Sequence, residues 1–209
     1  MTGVVTGFLR QIAARLRLAP SSDVVHRSPQ SLQRFLDRQS AYVTQRCVTE
    51  HLRLRLGIGW ERISDDRDFR AAVERCRWEG FATVLAALAE IVLGRLRHRQ
   101  GDRAAAGRVG EAAAAVLDTY AREQTVLDAA ATAGTIRRRL EGSLDAAPRS
   151  ADSIAEAAGT AMFRLLPIHT ELDAGDREAF VNAVRFALCG VADRMDRELD
   201  LDAVAGGRS

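Results

Sequence analysis

The segment at residues 65–99 constrains the fold more than any other part of the chain, because it is apolar on two sides of a helix. At helical spacing it carries two rows of apolar side chains on different faces. The first row is Phe69, Val73, Cys76, Gly80, Val84, Ala87 and Ile91, and the second is Trp78, Phe81, Leu85, Leu88, Val92 and Leu96. A helix that is apolar on two sides has to be covered by other helices on both. The segment therefore predicts a buried central helix in an all-α fold, a single helical bundle.

The remainder of the chain has the punctuation of helices and few of the signals that mark strands. Only four prolines occur, no Asn-Gly or Asp-Gly turn is present, and alternating runs of β-branched residues are absent. We expect about six helices, at residues 4–18, 29–56, 65–99, 111–147, 153–166 and 174–202. The bundle domain then covers residues 23–202, after a separate N-terminal helix within residues 1–22 and before a loose C-terminal tail at residues 203–209.

Capping and breaking residues predict where individual helices begin and end. Ser28, followed by proline, is a natural N-cap for the second helix. Ser153 and Glu156 have the spacing of a capping box for the fifth. The glycine- and alanine-rich stretch at residues 101–110 predicts a loop or a frayed helix start, and Gly134 predicts a break in the alanine-rich helix that follows.

Composition narrows the class of protein. Three cysteines in 209 residues exclude a disulfide-stapled domain and suit a reducing compartment. No apolar run reaches the roughly 18–20 residues that a membrane-spanning helix needs. All 30 basic side chains are arginines, which is typical of GC-rich coding in bacteria. We therefore expect a bacterial cytoplasmic protein, with any membrane contact peripheral and at the inner membrane.

Residues 1–22 contain no acidic side chain and are the most informative segment for function. A helix over residues 4–18 has a narrow apolar stripe accompanied by arginines, as helices that lie in a membrane interface do. The residues predicted to contact a membrane or a partner are Val5, Phe8, Leu9, Arg10, Ile12, Arg15, Leu16 and Arg17. Docking of this helix on its own bundle and a role in organelle targeting are the alternatives.

Charge is distributed unevenly along the chain. Residues 1–55 carry a net charge of +6, whereas residues 151–209 carry −5. The two ends can attract each other within one chain, or head-to-tail between two copies in a homo-oligomer, and simple solvation of both ends is the plain alternative. Together with the N-terminal helix, this predicts a non-catalytic interaction protein that acts on a membrane surface or on a partner subunit.

Small residues in the central helix predict a second kind of function, that of a binding module or a small enzyme with an apolar pocket. Gly80, Ala86, Ala87 and Gly94 can leave space between helices for an apolar lipid-like or quinone-like ligand. The polar contacts of such a pocket are then Cys47, His51, Trp78 and Glu90. Close helix packing against the small residues is the simpler alternative.

Glu90 itself has two interpretations. Inside the longest apolar run it resembles the buried acids that catalysis uses. On a helical wheel, however, it lies on one line with Glu79, Thr83 and Arg97, which predicts a narrow polar seam where it is wet or paired with an arginine.

The chain lacks the patterns that bind metals and cofactors or perform catalysis. His51 follows Cys47 by one helical turn, but no third ligand is evident, and there is no phosphate-binding loop, dinucleotide fingerprint or His-Glu-x-x-His motif. We therefore expect no metal, no cofactor and no catalytic residue. A basic front can bind nucleic acid, so a nucleic-acid-binding regulator is a third hypothesis; it is disfavoured because the aromatic residues are not interleaved with the arginines.

Overall fold

The computed structural model describes residues 29–57, 59, 63, 65–97, 102–168, 174–201 and 204. The helices are α1 (Pro29–Thr44), a π-helical segment (Gln45–Thr49), α2 (Glu50–Leu56), α3 (Arg67–Leu96), α4 (Asp102–Tyr120), α5 (Ala129–Leu144), α6 (Ala151–Leu165) and α7 (Ala174–Glu198). Because α1, the π-helical segment and α2 follow one another without a break, the described residues form six consecutive helical rods and no strand. The predicted all-α bundle is confirmed.

Helix α3 is the central element of the bundle. Its N-terminus is fixed by Asp66, whose carboxylate accepts a hydrogen bond from the amide of Phe69 at 2.7 Å. Both predicted apolar rows are buried, except that Phe69 is half-exposed. Helices α1, α4, α5, α6 and α7 all pack against α3. A long helix apolar on two faces is stable in water only with such neighbours, and the predicted central helix is therefore confirmed.

The outer helices pack in pairs around α3. Helix α4 packs on α5, and α6 packs on α7. The second pair approaches closely at Gly159, where an added Cβ would lie 3.1 Å from the Cα and the carbonyl oxygen of Val181. A side chain at this position would force the two helices apart, so glycine is required by the close backbone approach.

Two local predictions in the alanine-rich region are wrong. Residues 101–110 were expected to form a loop or a frayed helix start, but α4 begins at Asp102 and already buries Ala105 and Val109 within this stretch. Gly134 does not break a helix, because it lies inside α5; the break is at residues 121–128, and Asp128 caps α5 by accepting from the amide of Ala131 at 2.9 Å. Alanine has the highest helix propensity, and burial of an alanine face outweighs the cost of isolated glycines.

The predicted capping box of the fifth helix is also wrong. Ser150 is the N-cap of α6, and its hydroxyl accepts from the amide of Ser153 at 3.1 Å. Glu156 is exposed on the helix surface. Both serines are good capping residues three positions apart, and the one nearer to Pro148 begins the helix.

Further predictions concern the two ends of the chain. The last helix, expected at residues 174–202, buries an apolar row from Phe180 to Leu199. Val204, in the stretch predicted as a loose tail, is buried and its amide donates to the carbonyl of Asp200. The N-terminal helix over residues 4–18 and the capping role of Ser28 lie outside the described residues.

Candidate functional site

A cleft of about 220 Å³ opens beside the C-terminal half of α3. Its other walls are the end of α5 and the segment that leads from α5 into α6. The charged side chains that line it are Glu90, Arg97, Arg139 and Arg149. The apolar part of its wall comes mainly from Leu93, Pro148 and Ile154. The cleft therefore combines a small apolar surface with four charged side chains.

The spacing of residues on α3 explains why the cleft is there. Glu90, Leu93, Gly94 and Arg97 stand three, four and seven positions apart, so they share one helix face. Gly94 leaves that face open, because no atom lies within 4 Å of the place where its Cβ would be. The loop opposite contributes small residues and a rigid proline, which do not fill the space.

The Glu90 carboxylate is buried at the base of the cleft and is held by two arginines. Its side chain is 7% exposed. Arg139 donates from Nε to Oε2 at 2.8 Å, and its Nη2 lies 2.6 Å from the same oxygen in an ion pair. Arg149 donates from Nη1 to Oε1 at 3.3 Å. A buried carboxylate is tolerated only when its charge is compensated, and here both of its oxygens have a guanidinium partner. The predicted pairing of Glu90 with an arginine is confirmed.

Arg97 has a different role at the edge of the cleft. Its guanidinium donates to the carbonyl oxygens of Ser143 and Leu144, both at 3.0 Å, and contacts a carboxylate oxygen of Asp102 at 3.2 Å. The last carbonyls of a helix have no partner within that helix. Arg97 therefore anchors the end of α5 against α3, and it adds positive charge to the cleft.

The electrostatic balance of the cleft is positive. The lining carries three arginines and one glutamate. Glu90 compensates one charge of the pair Arg139 and Arg149, and Asp102, outside the lining, compensates Arg97. Among the described residues this leaves one positive charge of the cleft uncompensated. The side chains of Arg139 and Arg149 are 36% and 39% exposed, so each touches both Glu90 and solvent. Guanidinium groups bind carboxylates and phosphates through charge-assisted hydrogen bonds. The arrangement is suited to holding an anion, with the apolar wall beside it.

Of the four residues predicted to form a ligand pocket, Glu90 lines this cleft, whereas Cys47, His51 and Trp78 do not. Trp78 belongs to an aromatic cluster in the core, with its ring centroid 6.1 Å from Phe81 and 5.4 Å from Tyr120. Trp78 and Glu90 are twelve positions apart on one helix, which is a distance of about 18 Å along its axis. The structure therefore does not bring these two residues to one site.

Cys47 and His51 lie at the junction of the π-helical segment and α2. Burial raises the pKa of Cys47 to about 12, so this thiol is not a thiolate at neutral pH. The edge of the His51 ring meets Phe180 at a centroid distance of 4.9 Å, and burial lowers the pKa of His51, which keeps it neutral at pH 7. Within the part of the chain that the structure describes, no group of three or more potential metal ligands is formed.

The small residues of α3 that were predicted to leave space for a ligand do not all lie in the same surroundings. A Cβ on Gly80 would meet the side chains of Thr44, Val48 and Met162 at ordinary contact distances of 3.6 to 3.7 Å, so neighbouring side chains close the space beside that glycine and leave no room for a ligand. Gly94 is the small residue that faces open space in the cleft.

The burial of the thiols predicts a simple chemical pattern. Burial raises the pKa of Cys76 to about 12, as it does for Cys47. Burial also raises the pKa of Cys189, but that side chain is half-exposed and can be reached by a reagent in solvent. At pH 8 we expect Ellman's reagent to modify one thiol per chain, Cys189, within minutes, and three thiols after denaturation. Two or more fast thiols in the folded protein would show that Cys47 or Cys76 is reachable by solvent, and Cys189→Ser serves as the control that should abolish the fast reaction.

Sequence reasoning missed two of the cleft residues, Arg139 and Arg149. They are 49 and 59 positions away from Glu90. Helical spacing assigns a residue to a face of its own helix but does not say which distant helix covers that face. The run of three arginines at residues 137–139 was visible, and only Arg139 of that run lines the cleft.

The N-terminal residues predicted to contact a membrane or a partner, between positions 5 and 17, lie outside the described residues. In the described part of the chain, no helix combines the length and the hydropathy needed to cross a membrane. Comparison with family models, curated proteins and solved structures gave no match.

Proposed function

We propose that this protein is a non-catalytic helical binding protein that holds a small amphipathic anion in the cleft beside Glu90. The observation that carries the proposal is the pair of half-exposed arginines, Arg139 and Arg149, fixed on one buried carboxylate in a cleft of net positive charge. The small residues of α3 predicted a purely apolar ligand. The ligand proposed here also has an apolar part, but it carries a negatively charged head group.

The contacts of the two arginines support binding of a further anion. A guanidinium has five N–H donors. Arg139 donates to Glu90 from Nε, and its Nη2 lies 2.6 Å from the same oxygen, so Nη1 can donate to a further acceptor in the cleft. Arg149 is held in the same way, by Glu90 and by the carbonyl of Ser153 at 3.0 Å. Arginines that are already positioned lose less side-chain entropy when a ligand binds.

The volume of the cleft limits the size of the ligand. At about 30 Å³ of liquid volume for each water, 220 Å³ corresponds to about seven water molecules. This is smaller than the pockets that hold drug-sized molecules. A short fatty acid has the matching chemistry, because its carboxylate can meet the arginines while its chain lies along Leu93 and Ile154.

Calorimetric titration with hexanoate and with uncharged hexanol tests this function. We expect the wild type to bind hexanoate and not hexanol. Arg139→Gln should weaken hexanoate binding by about tenfold or more, since a hydrogen bond between charged groups contributes about 1.5–3 kcal/mol. Arg138→Gln is the matched control, because Arg138 is the neighbouring exposed arginine on α5, contacts Thr135 and does not line the cleft. Equal effects of the two substitutions, or no binding of hexanoate, would contradict the proposal.

The N-terminal segment supports a second function, which is independent of the cleft. The observation that favours it is the acid-free stretch of residues 1–22 with its apolar stripe and arginines. We propose that this segment contacts an anionic membrane surface or a second copy of the chain. Deletion of residues 1–19 should abolish co-sedimentation with phosphatidylglycerol vesicles and reduce self-association in analytical ultracentrifugation. Unchanged vesicle binding together with an unchanged molar mass in the ultracentrifuge would contradict this second function.

A further inference from the structure

We infer that Glu90 sets the charge selectivity of the cleft, so that the site favours monoanions over dianions. The inference rests on the proposed function and deepens it, because it names the class of anion. The Glu90 carboxylate lines the cleft and binds the same two guanidinium groups that would bind the ligand.

The geometry places Glu90 close to any anion that uses these arginines. Its two oxygens are 2.6 to 3.3 Å from the nitrogens of Arg139 and Arg149. Each guanidinium is only a few ångströms wide, so an anion on the outer side of the same groups would lie roughly 6 Å from Glu90. At that distance, two like charges repel each other by about 1.4 kcal/mol even at an effective dielectric constant of about 40.

The repulsion from Glu90 grows with the charge of the ligand, whereas its other effects do not. Glu90 also holds the two arginines in place, and this benefit is the same for every ligand that binds them. In the ratio of two dissociation constants the common benefit cancels, and the repulsion that acts on the extra charge of a dianion remains. Removal of the Glu90 charge would raise the uncompensated positive charge of the cleft from one to two, which adds attraction for the second charge of a dianion.

The test compares hexanoate with hexyl phosphate at pH 8, where the phosphate monoester is a dianion. The two ligands have the same chain length and differ at the head. In the wild type we expect tighter binding of hexanoate than of hexyl phosphate. In Glu90→Gln we expect the ratio of the two dissociation constants to move about tenfold toward hexyl phosphate, which is the fold-change that about 1.4 kcal/mol of relieved repulsion produces.

Glu79→Gln is the matched control. Glu79 is a half-buried glutamate of the same helix, eleven positions away or about 16 Å along the axis, and it does not line the cleft. Glu79→Gln removes the same charge from the same helix. At this distance, however, salt screens the repulsion between residue 79 and an anion in the cleft. The ratio should therefore stay at the wild-type value.

The outcomes separate the inference from the proposed function. If the wild type and Glu90→Gln both bind hexanoate but have the same ratio, the inference is overturned and the binding function stands. If neither protein binds either ligand, the binding function itself fails. Folding of Glu90→Gln is checked by circular dichroism; should it unfold, the wild type decides alone, because tighter binding of hexyl phosphate than of hexanoate by the wild type overturns the inference.

Discussion

Replacement of Phe81 by alanine is expected to lower the free energy of unfolding by about 3–5 kcal/mol. Phe81 is 1% exposed on the central helix, and its ring lies edge-on to Trp78 and Tyr120, with centroids 6.1 and 5.5 Å away. The substitution removes a large buried surface and leaves a cavity in a place where three helices meet. Because a domain of this kind has about 5–15 kcal/mol of stability in total, the loss is a large fraction of it. Urea denaturation followed by circular dichroism measures the effect.

Phe186→Ala is the control for this experiment. It removes the same side chain from α7, where Phe186 is 80% exposed, and we expect a change within about 0.5 kcal/mol. Should Phe81→Ala fail to fold, Phe81→Leu replaces it. Phe81→Leu keeps most of the side-chain volume, so it should lower the free energy of unfolding by only about 1.5 kcal/mol or less. Equal stabilities of Phe81→Ala and Phe186→Ala would contradict the central position of α3.

The double substitution Arg139→Gln/Arg149→Gln is expected to lower the free energy of unfolding by about 2–3 kcal/mol, less than for a fully buried pair because both arginines are more than a third exposed. It leaves the Glu90 carboxylate, which is 7% exposed, without either of its guanidinium partners. Addition of Glu90→Gln to the double variant should restore most of the loss, because an uncharged side chain has a much smaller desolvation cost. Thermal and urea unfolding of the three proteins measure both steps.

Arg137→Gln/Arg138→Gln is the matched control for that pair of substitutions. It removes the same two charges from exposed positions of α5, and we expect a change within about 0.5 kcal/mol. Two results would contradict this account. The control could lose as much free energy of unfolding as Arg139→Gln/Arg149→Gln, or Glu90→Gln could fail to restore the loss. Either result would mean that burial of the Glu90 carboxylate does not depend on these arginines.

The fold could be predicted from the sequence where a long segment has one strong pattern. The two apolar rows of α3 and the row from Phe180 to Leu199 repeat over many turns, so they are insensitive to a few residues of uncertainty at the ends. Short-range signals were less decisive. Ser150 and Ser153 both satisfy the rules for an N-cap, and Gly134 has the same composition signal as a true breaker, so tertiary packing determines the outcome at each of these positions.

The candidate site could be predicted only in part, for a related reason. The position of Glu90 in a polar seam with Arg97 follows from spacing on one helix. The partners Arg139 and Arg149 come from α5 and from the segment before α6, and their approach depends on how those elements pack against α3. With these two arginines the site differs from the predicted apolar pocket, because only Glu90 of the four predicted polar contacts lines it and arginines supply the other charged groups.

The central claim is that hexanoate binds to the guanidinium groups of Arg139 and Arg149, and the most direct measurement observes those groups themselves. In a ¹H–¹⁵N NMR titration, the Nε–Hε signals of the two arginines are assigned through Arg139→Gln and Arg149→Gln. The account predicts that hexanoate shifts both signals in a saturable way, that hexanol shifts neither, and that the signal of Arg138 stays in place. Signals of Arg139 and Arg149 that do not move with hexanoate, or that move no more than that of Arg138, would contradict it.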